Sequence, residues 1–366
     1  MKYYIIAGEA SGDLHGSNLM KGLLAEDPEA DMRFWGGDLM ASLGGTLVHH
    51  YKEGAVMGVS DVIGKAGKLL GNIKHCKQDI LEWKPDVVIL IDYPGFNLKI
   101  AKFCHTKGLK VFYYIAPKTW ASRSGRNRKL REYIDKMFIV FPFEIPYFTE
   151  KGIPFIYKGN PLLDAIDCHS YARPAEGRYI ALLAGSRKGE ISRMMPVCME
   201  VADRLGCKVV IAGAPARSED DYRPYIGDRT NVELLFGRTY DILKYADAAI
   251  INSGTASLEA ALIGTPQVVC WSSSKLTIFV ARNIFRVLDK IKYISLGNLC
   301  LDRMAFRELI QEDFNVDNVC DEIKRLTEDE DYRTRMKSDY DEIRRSLGDS
   351  GASRSVAKAM IETLKA

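Results

Sequence analysis

The stretch that decides the fold spans residues 86–97 and reads DVVILIDYPGFN. It opens with an apolar run of strand length, passes through an aspartate and a Pro-Gly turn, and then begins a helix that extends to about Thr106. A continuous apolar run between turn signals is typical of a strand that is covered on both faces, as in a parallel sheet. This stretch therefore predicts one strand–loop–helix step of an α/β domain.

The same step recurs toward both ends of the chain. Strands are predicted at 2–7, 86–91, 110–115, 137–140, 154–157, 179–183, 208–212, 232–235, 248–252 and 266–270. A Gly-Asn-Pro turn at 159–161 and a polar stretch after it interrupt the alternation. We therefore predict the α/β class with two Rossmann-like domains, at 1–165 and 166–345. Residues 346–366 predict a helix that either crosses back to the first domain or docks on a second subunit of a homodimer.

Composition narrows the functional class. Of the 366 residues, 47% are hydrophobic and 27% charged, as in a globular enzyme, and a net charge of +3 does not indicate a nucleic-acid partner. The eight cysteines form no C-x-x-C pair, which favours reduced, buried thiols and a cytoplasmic protein. Residues 2–7 predict a strand instead of a signal peptide, and no apolar run is long enough to span a bilayer.

Two acidic loops follow predicted strands in the N-terminal half. Glu9, Ser11 and Asp13 follow the first strand, where open α/β sheets bind ligands, and their oxygens suit sugar hydroxyl groups. The alternative is that Ser11 or Asp13 caps the next helix. Asp92 follows the strand at 86–91, where partial desolvation raises the pKa of a carboxyl group toward that of a general base. The alternative for Asp92 is a turn cap.

The C-terminal half contains two candidate phosphate loops. Residues 185–190, GSRKGE, lie between a predicted strand and helix, where exposed amides and Arg187 favour an anion. Residues 252–255, NSGT, also lead from a strand into a helix, and Glu259 lies one turn later, where it can accept from ribose hydroxyls. The candidate nucleotide-sugar residues are therefore Gly185, Ser186, Arg187, Glu190, Asn252, Ser253, Gly254, Thr255 and Glu259.

Two further segments suit an acceptor or a membrane surface. Residues 118–136 are rich in basic residues, which form either a solvated helix face or a phosphate site. Residues 56–77 combine apolar residues with lysines, which favours either a core helix or contact with an anionic bilayer. The candidates for the acceptor or membrane are Ser11, Asn97, Trp120, Arg123, Val62, Ile63, Leu69 and Leu70.

Taken together and in order, these motifs resemble the lipid-A-disaccharide synthase family. The shared motifs are GEASGDLHG, AVMG, IDYPGFN, APKTWASR, FPFE, GSRKGEI, NSGTASLEAAL and YISLGNL. The resemblance implies a glycosyltransferase-B fold, with two Rossmann-like domains facing a cleft. It implies inverting transfer of 2,3-diacylglucosamine from UDP to 2,3-diacylglucosamine 1-phosphate, without a metal or other cofactor, at the inner face of the inner membrane.

The resemblance also assigns roles. It implies that Asp92 is the catalytic base and that Arg187 offsets charge on departing UDP. It places Asn298 near the nucleotide site. Glu9 and Asp13 are the next candidates for the base, because their loop opens at the same edge of the same sheet. Within the same fold, the alternatives are a peptidoglycan glucosaminyltransferase or a UDP-sugar 2-epimerase. A non-catalytic nucleotide-sugar or lipid-binding protein is the alternative from another class.

Overall fold

The computed structural model describes residues 1–54, 62–120, 124–273 and 292–366. Two compact units are present: residues 1–167 together with 347–366, and residues 168–346. None of the described helices is both long and apolar enough to cross a membrane. All eight cysteines are free, and Cys168 is exposed, so the expectation of buried thiols is wrong for that residue.

A sheet of seven parallel strands forms the first unit, in the order β3-β2-β1-β4-β5-β6-β7. Its strands are β1 (Lys2–Ala7), β2 (Asp31–Gly36), β3 (Thr46–His50), β4 (Val87–Ile91), β5 (Lys110–Tyr114), β6 (Lys136–Ile139) and β7 (Ile156–Tyr157). Its helices are α1 (Ala10–Glu26), α2 (Asp38–Ala41), α3 (Tyr51–Gly54), α4 (Val62–Trp83), α5 (Pro94–Thr106), α6 (Arg126–Tyr133), α7 (Glu144–Glu150) and α8 (Pro161–Asp167). β1 and β4 are buried almost throughout, as their apolar sequences predict.

A second parallel sheet, of six strands, forms the other unit, in the order β10-β9-β8-β11-β12-β13. Its strands are β8 (Ile180–Leu183), β9 (Val209–Gly213), β10 (Val232–Phe236), β11 (Ala248–Asn252), β12 (Gln267–Trp271) and β13 (Glu308–Ile310). Its helices are α9 (Lys188–Leu205), α10 (Arg223–Ile226), α11 (Thr239–Tyr245), α12 (Thr255–Ile263), α13 (Leu296–Leu301), α14 (Val316–Glu328) and α15 (Glu330–Leu347). Short 3₁₀ turns lie at Glu219–Asp221 and Gln311–Asp313.

The last helix, α16 (Ala352–Lys365), belongs to the first unit and packs on α1.

Both sheets share one order of strands, in which the chain moves outward on one side of the first strand and then returns to its other side. The return occurs between β1 and β4 in the first sheet and between β8 and β11 in the second. Ligands of open α/β sheets bind beyond the carboxyl ends of the strands at such a switch point.

Candidate active site

The switch point of the first sheet brings together the two acidic loops predicted from sequence. Ala7 of β1 pairs with Ile91 of β4, so the residues that follow, from Gly8 and from Asp92, leave the sheet side by side. Tyr93 confirms how close these loops are, because a Cβ atom on Gly8 would lie 2.3 Å from the Tyr93 ring. Only glycine fits at position 8 without moving that ring.

Asp92 is held in an unusual backbone conformation. Its φ is +42° and that of Tyr93 is +45°, so two consecutive non-glycine residues are left-handed. The Asp92 N–H donates to the Tyr114 carbonyl at 3.1 Å, and its own carbonyl accepts from Tyr113 Oη at 2.5 Å and Asn97 Nδ2 at 2.8 Å. Such strain persists only where the surroundings fix it, and it concentrates at functional sites. These bonds to Tyr114, Tyr113 and Asn97 fix the backbone without using the carboxylate oxygens, which interact with the Tyr93 N–H.

The electrostatics of Asp92 suit a base. Burial raises the pKa of its carboxyl group above the ordinary value, and the negative charge of Glu9 adds to that rise. Lys118, the Tyr93 N–H and Arg126 act in the opposite direction. Desolvation thus shifts the Asp92 pKa in the predicted direction, and the catalytic role stays a prediction.

The other acidic candidates differ from Asp92 in their surroundings. Glu9 is exposed at the start of α1 and makes no side-chain cap, and Ser11 is exposed in its first turn. Asp13 is 3% exposed, and its carboxylate accepts the N–H groups of Gly37, Leu39 and Met40 at 2.8–3.1 Å. Asp13 therefore fixes the turn that begins α2, which disfavours it as a catalytic base. It also caps a different helix from the one expected.

The candidate acceptor residues Asn97, Trp120 and Arg123 differ in their surroundings. Asn97 is fully buried and its amide supports the Asp92 loop, so its position indicates support of that loop and not contact with a ligand. Trp120 is partly exposed after β5, and its Nε1 donates to Glu144 at 3.1 Å. Arg123 lies outside the described residues.

The candidate membrane residues lie near the start of α4. Leu70 is 61% exposed, whereas Leu69 is partly buried against the core of the first unit. Leu69 thus fits the predicted alternative of a core helix, and contact of Leu70 with a membrane stays a prediction. The side chains of Val62 and Ile63 lie outside the described part of the chain.

The switch point of the second sheet joins the two phosphate-loop candidates. β8 and β11 are neighbours, and the loops at their carboxyl ends meet where a Cβ atom on Gly185 would lie 2.6 Å from Asn252 Nδ2. Gly185 has a φ of +103°, which also favours glycine. Asn252 is buried and approaches the Gly185 loop from the side of β11.

Glu190 closes the first of these loops from within. Its Oε2 accepts the N–H groups of Ser186 and Arg187 at 3.0 and 3.1 Å, and its Oε1 accepts from the Arg187 guanidinium at 3.0 Å. A carboxylate therefore occupies two of the amides that were expected to meet a diphosphate. Glu190 orders the loop, and its position does not indicate direct donor binding. Arg187 remains largely exposed.

The second loop and α12 have the features expected of a nucleotide site. Gly254, where α12 begins, has open space beside its Cα, and Thr255 is the first residue of the helix. The partly buried Glu259 accepts from Tyr240 Oη at 2.9 Å. Burial raises the pKa of the Glu259 carboxyl group, and this hydrogen bond opposes the rise. Tyr240 was not predicted from sequence, because it comes from α11 and lies 19 residues away.

Asn298 is connected to the second loop by hydrogen bonds that pass through Ile294 and Glu308. Ser253 Oγ donates to the Ile294 carbonyl at 3.3 Å, and Glu308 accepts from the Ile294 N–H, the Ser295 N–H and Asn298 Nδ2 at 2.8–3.0 Å. Asn298 is fully buried within this network. Its position supports the 294–298 segment and does not indicate contact with the nucleotide.

Comparison with known proteins agrees with this architecture. Residues 3–362 match the family model described as lipid-A-disaccharide synthetase. A lipid-A-disaccharide synthase of Trichlorobacter lovleyi is 34% identical over 375 residues, which cover 99% of this chain and 97% of that protein.

Solved structures with low sequence identity share the fold. The UDP-GlcNAc 2-epimerase of Neisseria meningitidis, solved with UDP-GlcNAc, has a TM-score of 0.69 at 14% identity and covers 99% of this chain and 100% of its own. The glycotransferase of kitacinnamycin has a TM-score of 0.65 at 15% identity, with 99% of each chain covered. Both likenesses concern the fold alone.

Proposed function

Because this chain belongs to the lipid-A-disaccharide synthase family, and is therefore a glycosyltransferase, we propose that its two switch points divide the reaction between them. The first unit binds 2,3-diacylglucosamine 1-phosphate beside Asp92. The second unit binds UDP-2,3-diacylglucosamine at the loops after β8 and β11. The observation that carries this proposal is the position of Asp92 at the β1–β4 switch point, where Asn97 and Tyr113 hold its backbone.

The donor site follows from the geometry of α12. The N-terminus of this helix favours the diphosphate, because its first N–H groups and its dipole attract an anion. Glu259 accepts from the ribose hydroxyls and Tyr240 orients it. Arg187 offsets the negative charge that grows on the leaving UDP.

The catalytic step needs a proton acceptor. The 6-hydroxyl oxygen of the acceptor attacks the anomeric carbon of the donor as its proton moves to the Asp92 carboxylate. The bond from that carbon to the UDP oxygen breaks, and UDP leaves with the electron pair. A single displacement inverts the configuration and gives the disaccharide 1-phosphate.

The lipid substrates suggest where the protein acts. We infer peripheral association with the inner face of the inner membrane from the exposed Leu70 and the exposed Lys74 one turn later on α4. The predicted alternative of a UDP-sugar 2-epimerase is not favoured, because the epimerase structure shares only the fold at 14% identity, whereas the 34% identical relative is a lipid-A-disaccharide synthase.

One assay tests the proposed function. The protein is incubated with UDP-2,3-diacylglucosamine and 2,3-diacylglucosamine 1-phosphate, and UDP release is measured against a reaction with unacylated UDP-N-acetylglucosamine. We expect rapid UDP release only with the acylated donor, and only when the acceptor is present. Equal turnover of the unacylated donor, or release that ignores the acceptor, would contradict the proposal.

A further inference from the structure

Glu144 is a buried carboxyl group with no role in the reaction described above. It is 1% exposed and is the first residue of α7, the helix that follows β6. Burial raises the pKa of Glu144 to about 7. An ionised carboxylate in such a place is costly, so its presence calls for a specific set of partners.

Its partners belong to two different segments. Oε2 accepts the N–H groups of Val140 and Phe141 at 3.3 and 3.2 Å, which closes the turn between β6 and α7. Oε1 accepts from Trp120 Nε1 at 3.1 Å, which ties that turn to the segment after β5. Glu144 thus joins the carboxyl ends of two neighbouring strands.

The 115–120 segment has a strained backbone, which contacts with other segments must hold in place. Ile115 has a φ of +62°, which is strained for a β-branched residue. Tyr147, one turn after Glu144 on α7, donates to the Thr119 carbonyl at 3.0 Å and so provides a second tie. The indole of Trp120 also packs edge-on against Phe143, with ring centroids 5.0 Å apart.

This segment lies beside Asp92. The Asp92 N–H donates to the Tyr114 carbonyl, one residue before Ile115. Lys118, at the centre of the segment, lowers the pKa of both the Asp92 and the Glu144 carboxyl groups, so its charge lies within electrostatic reach of both. β5 also lies between β4 and β6 in the sheet, so the three carboxyl ends share one edge.

We propose that Glu144 is a positioning residue of the acceptor site, which holds the Trp120 indole and with it the 115–120 segment beside Asp92. The partly exposed Trp120 then contacts the sugar ring or the acyl chains of the acceptor. This inference rests on the proposed function, because it assumes that the first unit binds the acceptor.

A double-mutant cycle tests the proposal. Glu144→Gln removes the charge, Trp120→Phe removes the indole donor and keeps an aromatic ring, and the third variant combines both. We expect each single change to raise the KM for 2,3-diacylglucosamine 1-phosphate about tenfold, the effect of losing one hydrogen bond to a charged group. The KM for the UDP-sugar donor should stay within about twofold of wild type, because it binds the other unit. The effects in the double variant should be less than additive, since both changes act on the same bond between Trp120 and Glu144.

A matched control separates positioning from general loss of a buried carboxylate. Glu322, also 1% exposed, lies in the second unit and accepts from Tyr332 Oη and Arg307. Glu322→Gln should leave the acceptor KM unchanged. An unchanged acceptor KM in Glu144→Gln, equal changes in both KM values, or additive effects in the double variant would overturn the role of Glu144. An unchanged acceptor KM in Trp120→Ala would overturn the contact between Trp120 and the acceptor, whereas UDP release that ignores the acceptor would contradict the proposed function.

Discussion

At the residue scale, the sharpest expectation concerns Asp92. Asn tolerates the left-handed backbone found at this position, so Asp92→Asn should keep the loop intact while it removes the proton acceptor. General-base assistance typically contributes about 10²–10⁴-fold, so kcat should fall by that factor with donor binding nearly unchanged. Because the pKa of Asp92 is raised, wild-type activity should decline as the pH falls through a value above the ordinary aspartate range. That acidic limb should vanish in the Asn variant, as measured in steady-state pH–rate profiles.

Asp38→Asn is the control for this experiment. Asp38 is an exposed aspartate of the same unit, paired with Lys52, and its replacement should leave kcat unchanged. If Asp92→Asn kept more than about a tenth of wild-type kcat, less than ~1.4 kcal/mol of barrier would be involved. Asp92 would then not be the base, and the exposed Glu9 would be the next candidate.

The sequence correctly predicted the position of residues that lie at the ends of apolar strands. Asp92 and Asn252 were placed at sheet edges because strand ends are visible as the ends of apolar runs. The contacts of Glu190 and Asn298 could not be predicted in that way, because a side chain that folds back on its own loop has the same sequence as one that faces a ligand. Tyr240 and Glu144 were missed because their partners come from other elements.

At the element scale, the predicted strands include buried ones such as β4 and β9 and partly buried ones such as β7 and β10, whereas β2, β3 and β13 were not predicted. β2 was missed because Arg33 interrupts its apolar run, and this charge is accommodated by an ion pair with Asp79 at 2.6 Å. β13 was missed because it contains Glu308, whose carboxylate accepts bonds from the 294–298 segment. Ile115 was assigned to β5 by its apolar character, but it follows the end of the strand in a left-handed conformation. Tertiary partners can therefore place a charge in a strand or exclude an apolar residue from one.

Helix α4 provides the element-scale prediction. Leu70→Ser should weaken binding to anionic vesicles by about 1–2 kcal/mol, because an exposed leucine loses its burial in the acyl boundary. Sedimentation with anionic vesicles at two salt concentrations measures the effect, and added salt should weaken binding further. Leu81 lies about three turns later on the same face and is 39% exposed, so Leu81→Ser is the matched control and should have a smaller effect. Equal losses in both variants, or none in either, would tell against the start of α4 as the membrane contact.

At the scale of the whole molecule, the first unit is built from two separate parts of the chain. Helix α16 packs on α1. The Asp164 carboxylate accepts the N–H group of Gly351, which precedes α16, and that of Ser353 in its first turn. Tyr157 Oη donates to the Leu347 carbonyl at 3.0 Å, where the chain re-enters this unit. The apolar spacing in the tail indicates a buried helix face but not which surface covers it. Of the two predicted alternatives, the tail crosses back to the first unit. A homodimer stays a prediction.

Glycine substitutions test how much the return of the chain stabilises the first unit. A Cβ atom on Gly22, in the middle of α1, would lie 3.0 Å from the Arg354 Cα and the Ser353 carbonyl oxygen, so Gly22→Ala should force the two helices apart. Overpacking of this kind costs about 1–3 kcal/mol. Gly71 is also inside a helix, but a Cβ atom there would meet open space, so Gly71→Ala should stabilise by about 0.5–1 kcal/mol. The same substitution should therefore change the midpoint of thermal unfolding in opposite directions at the two positions.

In Gly22→Ala, hydrogen exchange should also accelerate in α1 and α16 and stay unchanged in the second unit, since the lost packing is local to the first. If Gly22→Ala were as stable as Gly71→Ala, the packing of α16 on α1 would not contribute to the stability of this unit.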